Sequence, residues 1–337
     1  LAGYSSKADR ELMEMTAEYR MAIEEALGQL RPGTSLVARA AVESLRSGGK
    51  RLRGSLALLC CEALCGDYRR ALPVAVLCEL AHAASLIQDD IIDEAAVRHR
   101  QPTVQRRYGL MLAMLASDLL IFEMFGQLVG YRRLPVSKGR VLSVLEQISL
   151  AAKLTLEGEF MELSLTGRGS ISEQEYMEVA SLKTGALFAG ACASGAIVGG
   201  ASKRVVRAMQ DFGRNLGIAF QIRDDVLDIV GEPEETGKAL LKDLQNNALN
   251  IVIVHALARA DAYTRQAINS FVWKQWYTPE EIRSVQALLR GLGSFDYAEE
   301  VSQACLSACR RSLQLLPSSE PRAKLERLIA LLEHRRR

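Results

Sequence analysis

The chain of 337 residues is 49% apolar but only 6% aromatic, and its 42 Lys+Arg against 40 Asp+Glu leave a formal charge of +2. That length can bury a sizeable core, and the composition excludes a disordered chain and disfavours an all-β one. No global field draws the protein onto nucleic acid or an anionic bilayer, so any anion chemistry has to be local.

From Lys7 to Leu30, the apolar residues Leu12, Met15, Tyr19, Ile23, Ala26, Leu27 and Leu30 recur at intervals of three and four until Arg31-Pro32-Gly33, which predicts one amphipathic helix with its stop. Gly48-Gly49 then breaks the chain, and Lys50 and Arg53 follow at helical i,i+3 beside a helix N-terminus, a place that favours anions. Taken alone, this is equally a solvated basic turn. An apolar helical stretch ends in Asp89-Asp90-Ile91-Ile92-Asp93, and a polar loop runs from Ala96 to Thr103. Ser172 with Glu175 and Thr278 with Glu281 are capping boxes, the second with Pro279 at the first helical position. The uncharged run from Gly185 to Ala201, flanked by Lys183 and Lys203, is shorter than a bilayer span and mostly Gly and Ala. It reads as a tightly packed helix, with no transmembrane segment.

A second apolar helical stretch carries Asp224-Asp225-Val226-Leu227-Asp228, and a short loop runs from Gly231 to Gly237. The run Leu249 to Val254, with β-branched Ile251, Val252, Ile253 and Val254, could be a buried strand but has no convincing strand to pair with, so a helix is expected there. No linker or repeat divides the chain. A single all-α domain over residues 1–337, one large helical bundle, is the expected organisation. Seven cysteines without a CxxC pair point to a reducing, cytoplasmic setting. No signal peptide opens the chain, and Leu1 reads as a trimming boundary.

Both aspartate clusters read DDxxD. At about 100° per residue the first and fifth aspartates stack on one helix face, where their carboxylates reach a common cation. Stacked carboxylates on an apolar helix are costly unless neutralised, and oxygen-only ligands suit a hard ion such as Mg²⁺. One such cluster is as readily a solvated acidic face. Two, preceded by Ala83 to Gln88 and by Gly217 to Ile222, are not. Opposed carboxylates that bridge several Mg²⁺ ions are a way to hold a polyanion, with diphosphate the natural guest. Basic groups are placed to serve it: Lys50, Arg53, then Arg98, His99 and Arg100, and His82 two turns before Asp89 at about 20° from its face. His82 alone is as easily a satisfied core histidine.

In order along the chain stand GGKRLR (Gly48 to Arg53), ELAHAASLIQDDIID (Glu79 to Asp93), RHRQPT (Arg98 to Thr103), KTGALF (Lys183 to Phe188), FQIRDDVLD (Phe220 to Asp228) and TGKALLKDL (Thr236 to Leu244). This ordered set resembles the trans-isoprenyl diphosphate synthases, the polyprenyl synthetase family. The resemblance implies an all-α homodimer with a deep central cavity in each subunit and the two aspartate motifs facing each other across its mouth. It implies three Mg²⁺ ions held by Asp89, Asp93 and Asp224, with Asp90, Asp225 and Asp228 in support. Arg98, Lys183 and Lys238 would hold an allylic diphosphate, and Lys50, Arg53 and His82 the diphosphate of isopentenyl diphosphate. Thr184 and Gln221, with the backbone near Lys183, would turn oxygen dipoles toward the allylic cation. Small residues at Ala84 and Ser85, where short-chain members carry an aromatic, imply geranylgeranyl diphosphate or a longer product, with Phe122, Met124 or Phe125 as the next stop.

Three positions depart from the family pattern. His99 stands where a second arginine helps to bind isopentenyl diphosphate, with Arg100 placed to compensate. Ala248 replaces a lysine, and Leu241 replaces a glycine, so that loop is expected to close differently. These departures leave room for a catalytically weak regulatory subunit of a heteromeric synthase. A terpene cyclase would need neither GGKRLR nor His82.

Overall fold

The computed structural model describes residues 7–31, 33–46, 48–98, 101–168, 171–231, 240–245, 249–272, 274 and 276–334. The helices are α1 (Lys7–Met15), α2 (Ala17–Gly28), α3 (Leu36–Arg46), α4 (Leu52–Cys65), α5 (Leu72–Ile92), α6 (Val104–Tyr108), α7 (Leu110–Val129), α8 (Lys138–Leu165), α9 (Glu173–Val179), α10 (Ala186–Val198) and α11 (Lys203–Val230). After them come α12 (Lys242–Gln245), α13 (Ile251–Arg259), α14 (Ala262–Asn269), α15 (Pro279–Gly291), α16 (Ser294–Leu313) and α17 (Glu320–His334). The described strands are two-residue pieces, Val97–Arg98 and Gln101–Pro102, paired antiparallel. The loop expected from Ala96 to Thr103 is thus a small hairpin.

The Gly/Ala run forms the axis of the molecule. Every residue of α10 is buried, and α10 packs on α4, α8 and α11. Backbones meet where side chains are missing: a Cβ on Gly195 would lie 2.2 Å from the Ala57 carbonyl oxygen of α4, and one on Gly213 of α11 would lie 2.4 Å from that of Phe188. Helix α5 lies between α4 and α7, and α16 covers the far side of α11. Helices α4, α5 and α11 are thereby all held against α10.

The predicted caps form as written: Ser172 with Glu175 and Thr278 with Glu281 make both reciprocal bonds of the box. The β-branched run is helical in α13, started by the Asn250 side chain, which accepts the Val252 N–H. The first helix, however, is two. The division falls at Thr16, where the backbone turns to φ −101° and ψ 9°; its N–H and its hydroxyl both donate to the Leu12 carbonyl, at 3.1 and 2.8 Å.

Three helical stretches, Tyr68–Ile92, Leu110–Arg133 and Glu173–Val198, are long and apolar enough to cross a membrane by length and composition. The first and last are mostly buried inside the protein. The middle one turns Met111, Phe122 and Phe125 outward, and α8 likewise exposes Leu142, Leu156 and Phe160.

Candidate active site

The basic side of the site is built at the start of α4. Gly48 and Gly49 take φ of 99° and 141°, open to glycine, and Arg51 follows in the left-handed region at φ 48°. Arg51 supports the turn and points away from solvent. It is buried, with Nε 2.7 Å from Glu24, a second nitrogen 3.6 Å from Glu79, and a donor on the Leu45 carbonyl. Glu79 reaches across from α5 to accept the Gly54 N–H (2.9 Å), so a buried carboxylate caps α4 from a neighbouring helix. Burial pushes the Glu79 carboxyl up, against Arg51 and the Gly54 N–H, which pull it down.

This cap sets the direction of Arg53. Its guanidinium lies over the Phe188 ring at 4.7 Å, and its buried Nε has no hydrogen-bond partner among the described residues. Burial pulls its pKa down, opposed by Glu79, Cys78, Asp89 and Asp224. The carboxylates of both DDxxD motifs therefore act on one arginine. The Lys50 amine is 2.6 Å from the Asp9 carboxylate of α1. His82 is half-buried on α5, and its carbonyl accepts the Ser85 hydroxyl at 2.9 Å.

In the first aspartate motif Asp93 is the C-cap of α5, stacked one turn after Asp89 as the spacing requires. Asp90 turns the other way and is buried, accepting from Arg98 Nε at 2.7 Å. Burial raises the Asp89 carboxyl to about 7, with Glu159 and Asp93 raising it further and Lys183 and Arg98 lowering it.

The second motif divides in the same manner. Asp224 is exposed. Asp225 is buried and accepts from the Tyr176 hydroxyl (2.7 Å), Gln221 Nε2 (2.9 Å) and the Ile251 N–H (2.9 Å). Asp228 accepts the backbone N–H groups of Lys242 and Asp243, each at 3.1 Å, which ties α12 to the end of α11. Among the described residues no three His, Cys, Asp or Glu side chains converge closely enough to hold an ion by themselves. The donors that Asp89, Asp93 and Asp224 would offer are carboxylate oxygens, the chemistry that a hard ion such as Mg²⁺ takes.

Between the motifs lies a turn that periodicity does not reveal. Ala180–Gly185 is a π-helix, a wide turn often found at functional sites, and it carries Lys183 and Thr184. The backbone of α8 makes room: a Cβ on Gly158 would lie 2.4 Å from the Lys183 nitrogen. Lys183 Nζ is 2.7 Å from Glu159 and 2.5 Å from Glu162. Burial opposes its charge, but Glu162, Asp89 and Glu159 outweigh burial and raise its pKa. Thr184 donates to Gln221 Oε1 (2.9 Å), and Gln221 passes the chain on to Asp225.

Four residues that the sequence reading missed belong to this arrangement: Glu159, Glu162, Tyr176 and Asn250. Two glutamates at i,i+3 beside Gly158 were the available signal for the first pair. Asn250 donates to the Asp225 carbonyl (3.0 Å) and to Asp243 (2.9 Å), which no local pattern encodes. His99, Arg100, Lys238 and Ala248 lie outside the described residues. Leu241 has φ 58°, a conformation that glycine adopts readily, and its N–H reaches the Asp228 carbonyl at 2.8 Å; most of the loop expected to close differently lies outside the described residues.

Ala84 and Ser85 differ in setting. Ala84 is buried, and its carbonyl accepts the Ser117 hydroxyl of α7 at 3.2 Å, whereas Ser85 is half-buried. Of the three side chains expected to stop a longer product, only Met124 is buried. Phe122 and Phe125 are 69% and 51% exposed, so they do not close a cavity within one chain.

Residues 34–289 match the family model described as polyprenyl synthetase. The chain is 33% identical over 319 residues to a short chain isoprenyl diphosphate synthase of Methanothermobacter thermautotrophicus, covering 94% of this chain and 96% of that one. A geranylfarnesyl diphosphate synthase of Aeropyrum pernix is 31% identical, with 88% of this chain and 92% of that one covered. Among solved structures, a geranylgeranyl pyrophosphate synthetase of Pyrococcus horikoshii superposes with a TM-score of 0.88 at 33% identity, covering 97% of this chain and 99% of that one.

Proposed function

The chain belongs to the polyprenyl synthetase family and is a prenyltransferase that elongates prenyl diphosphates, and from that premise we propose how its residues divide the work. Mg²⁺ dependence is typical of the family. Asp89, Asp93 and Asp224 hold the metal ions, three by resemblance, together with the diphosphate of the allylic substrate. Lys183, Arg98 and Lys238 grip that diphosphate, and Lys50, Arg53, His82 and His99 are the contacts for isopentenyl diphosphate. When bound, the metal supplies charge that stabilises the departing diphosphate. Thr184 and Gln221 offer oxygen dipoles to the allylic cation without a nucleophile to trap it.

One observation carries this reading: the cations assigned to the two diphosphates are held beside carboxylates. Lys183 sits on Glu159 and Glu162, Arg98 on Asp90, Lys50 on Asp9, while Arg53 feels both motifs. An incoming diphosphate would compete with these carboxylates for the same cations.

Geranylgeranyl diphosphate or a longer chain is the proposed product, since Ser85 leaves the wall below the metals small. One continuous buried cluster from Leu12 to Leu332 supports a single catalytic domain. The exposed apolar faces of α7 and α8 support a homodimer. Seven free cysteines support a reducing, cytoplasmic setting.

The test is purified protein with Mg²⁺, labelled isopentenyl diphosphate and each allylic diphosphate in turn. Linear products of geranylgeranyl length or longer are expected, silenced by chelator. Asp89→Ala or Asp224→Ala should lower turnover by about 10³ or more with the helical fold intact, the scale of removing a group that stabilises transition-state charge. Near-normal turnover in either variant would refute the metal assignment.

A further inference from the structure

The Lys50 amine does not wait in solvent for its substrate. It is paired with Asp9 of α1 at 2.6 Å, and both side chains are largely covered, 21% and 14% exposed. Helix α1 is itself seated on the far end of the chain: Glu11 is bonded to Arg327 of α17. A shallow, mostly apolar dent is lined by Asp9 and Leu12 of α1, Leu328 and Leu331 of α17, Leu52 at the start of α4, and Phe220 beside Gln221. Phe220 in turn meets Phe188, the ring under Arg53, at 6.0 Å between centroids. The N-terminal helix is thereby part of the wall around Lys50 and Arg53, and it presents a carboxylate there.

We propose that Asp9 is a positioning residue that sets the affinity for isopentenyl diphosphate by holding the Lys50 amine until a diphosphate displaces it. This rests on the reading above that Lys50 binds that diphosphate. A covered ion pair has to be broken before the amine can bind the incoming anion, so part of the binding free energy is spent on separating it. A carboxylate beside the amine also repels a diphosphate as it approaches, which a neutral amide would not do. The seat of α1 on α17 fixes where the carboxylate stands, so competition is built in by the fold.

The test is steady-state kinetics with isopentenyl diphosphate and the allylic substrate varied separately. Asp9→Asn, which keeps shape and removes charge, should lower KM for isopentenyl diphosphate about fivefold, equivalent to about 1 kcal/mol. The allylic KM and kcat should stay within twofold, about 0.4 kcal/mol. Asp9→Glu keeps the charge and should stay near wild type. In a Lys50→Ala background the Asp9→Asn effect should vanish, since the residue acts through Lys50. A KM for isopentenyl diphosphate that rises or stays unchanged in Asp9→Asn, or an equal fall in Asp9→Glu, would overturn the inference. Failure of the underlying reading looks different: Lys50→Ala alone would then leave KM for isopentenyl diphosphate unchanged.

Discussion

Replacing Leu241 by glycine is expected to destabilise the protein by about 2 kcal/mol, although the backbone there has the conformation glycine prefers. Leu241 has φ 58° and is fully buried. Truncating such a side chain to alanine costs about 3 kcal/mol, within the usual span for a buried leucine. Alanine keeps the left-handed strain, whereas glycine removes it. That relief, about 1–2 kcal/mol, exceeds the added chain entropy of glycine and recovers about 1 kcal/mol. The expected order of stability is therefore wild type, Leu241→Gly, Leu241→Ala, the reverse of the ordinary preference for alanine over glycine. Urea unfolding followed by far-UV circular dichroism reads this as midpoints shifting at a constant slope. A glycine variant as stable as wild type would mean that strain, and not the buried side chain, dominates at this position. An alanine variant more stable than glycine would remove the strain from the account altogether.

Two further outcomes follow from the site. Burial raises the Asp89 carboxyl to about 7, so below that pH a proton competes with Mg²⁺ for the carboxylate, and above it the competition ends. The Mg²⁺ concentration for half-maximal turnover should rise about tenfold from pH 8 to pH 6. A flat Mg²⁺ requirement over this range would exclude Asp89 as a ligand that must first lose its proton. Ser85→Phe should shorten the product while the first condensation is kept, checked by chromatography of labelled products. Ala84→Phe, by contrast, meets α7 where Ser117 bonds the Ala84 carbonyl, and should cost about 1–3 kcal/mol through overpacking, checked by urea unfolding.

The aspartates and the cations were legible in the sequence for different reasons. A helical repeat of 3.6 residues specifies which side chains share a face, which is enough to stack Asp89 on Asp93 and to separate Asp90 from them. It is equally enough to place Lys50 and Arg53 on one side of a helix start. The same repeat overran the break at Thr16, because a change of backbone angle at one residue leaves the apolar spacing unaltered. It also could not find the π-helix at Ala180–Gly185, which packs on α8 so closely that a Cβ on Gly158 would lie 2.4 Å from the Lys183 nitrogen. That contact is made by residues far apart in the chain, and only packing creates it.

The unread part of the site has one common physical cause. Each missed residue answers a charge or an orphan polar group presented by a different helix: Glu162 answers Lys183, Tyr176 answers Asp225, Asn250 answers Asp243 and the Asp225 carbonyl. A buried charge needs a partner, but that need does not say where along the chain the partner lies. Asp225 illustrates the consequence. By spacing it is equivalent to Asp90, and both are second members of a DDxxD motif. Yet Asp90 is bonded to an arginine eight residues on in sequence, while Asp225 is enclosed by three donors from α9, α11 and the first turn of α13. A motif therefore tells which aspartates share a helix face, and the packing of remote helices decides how firmly the remaining ones are held.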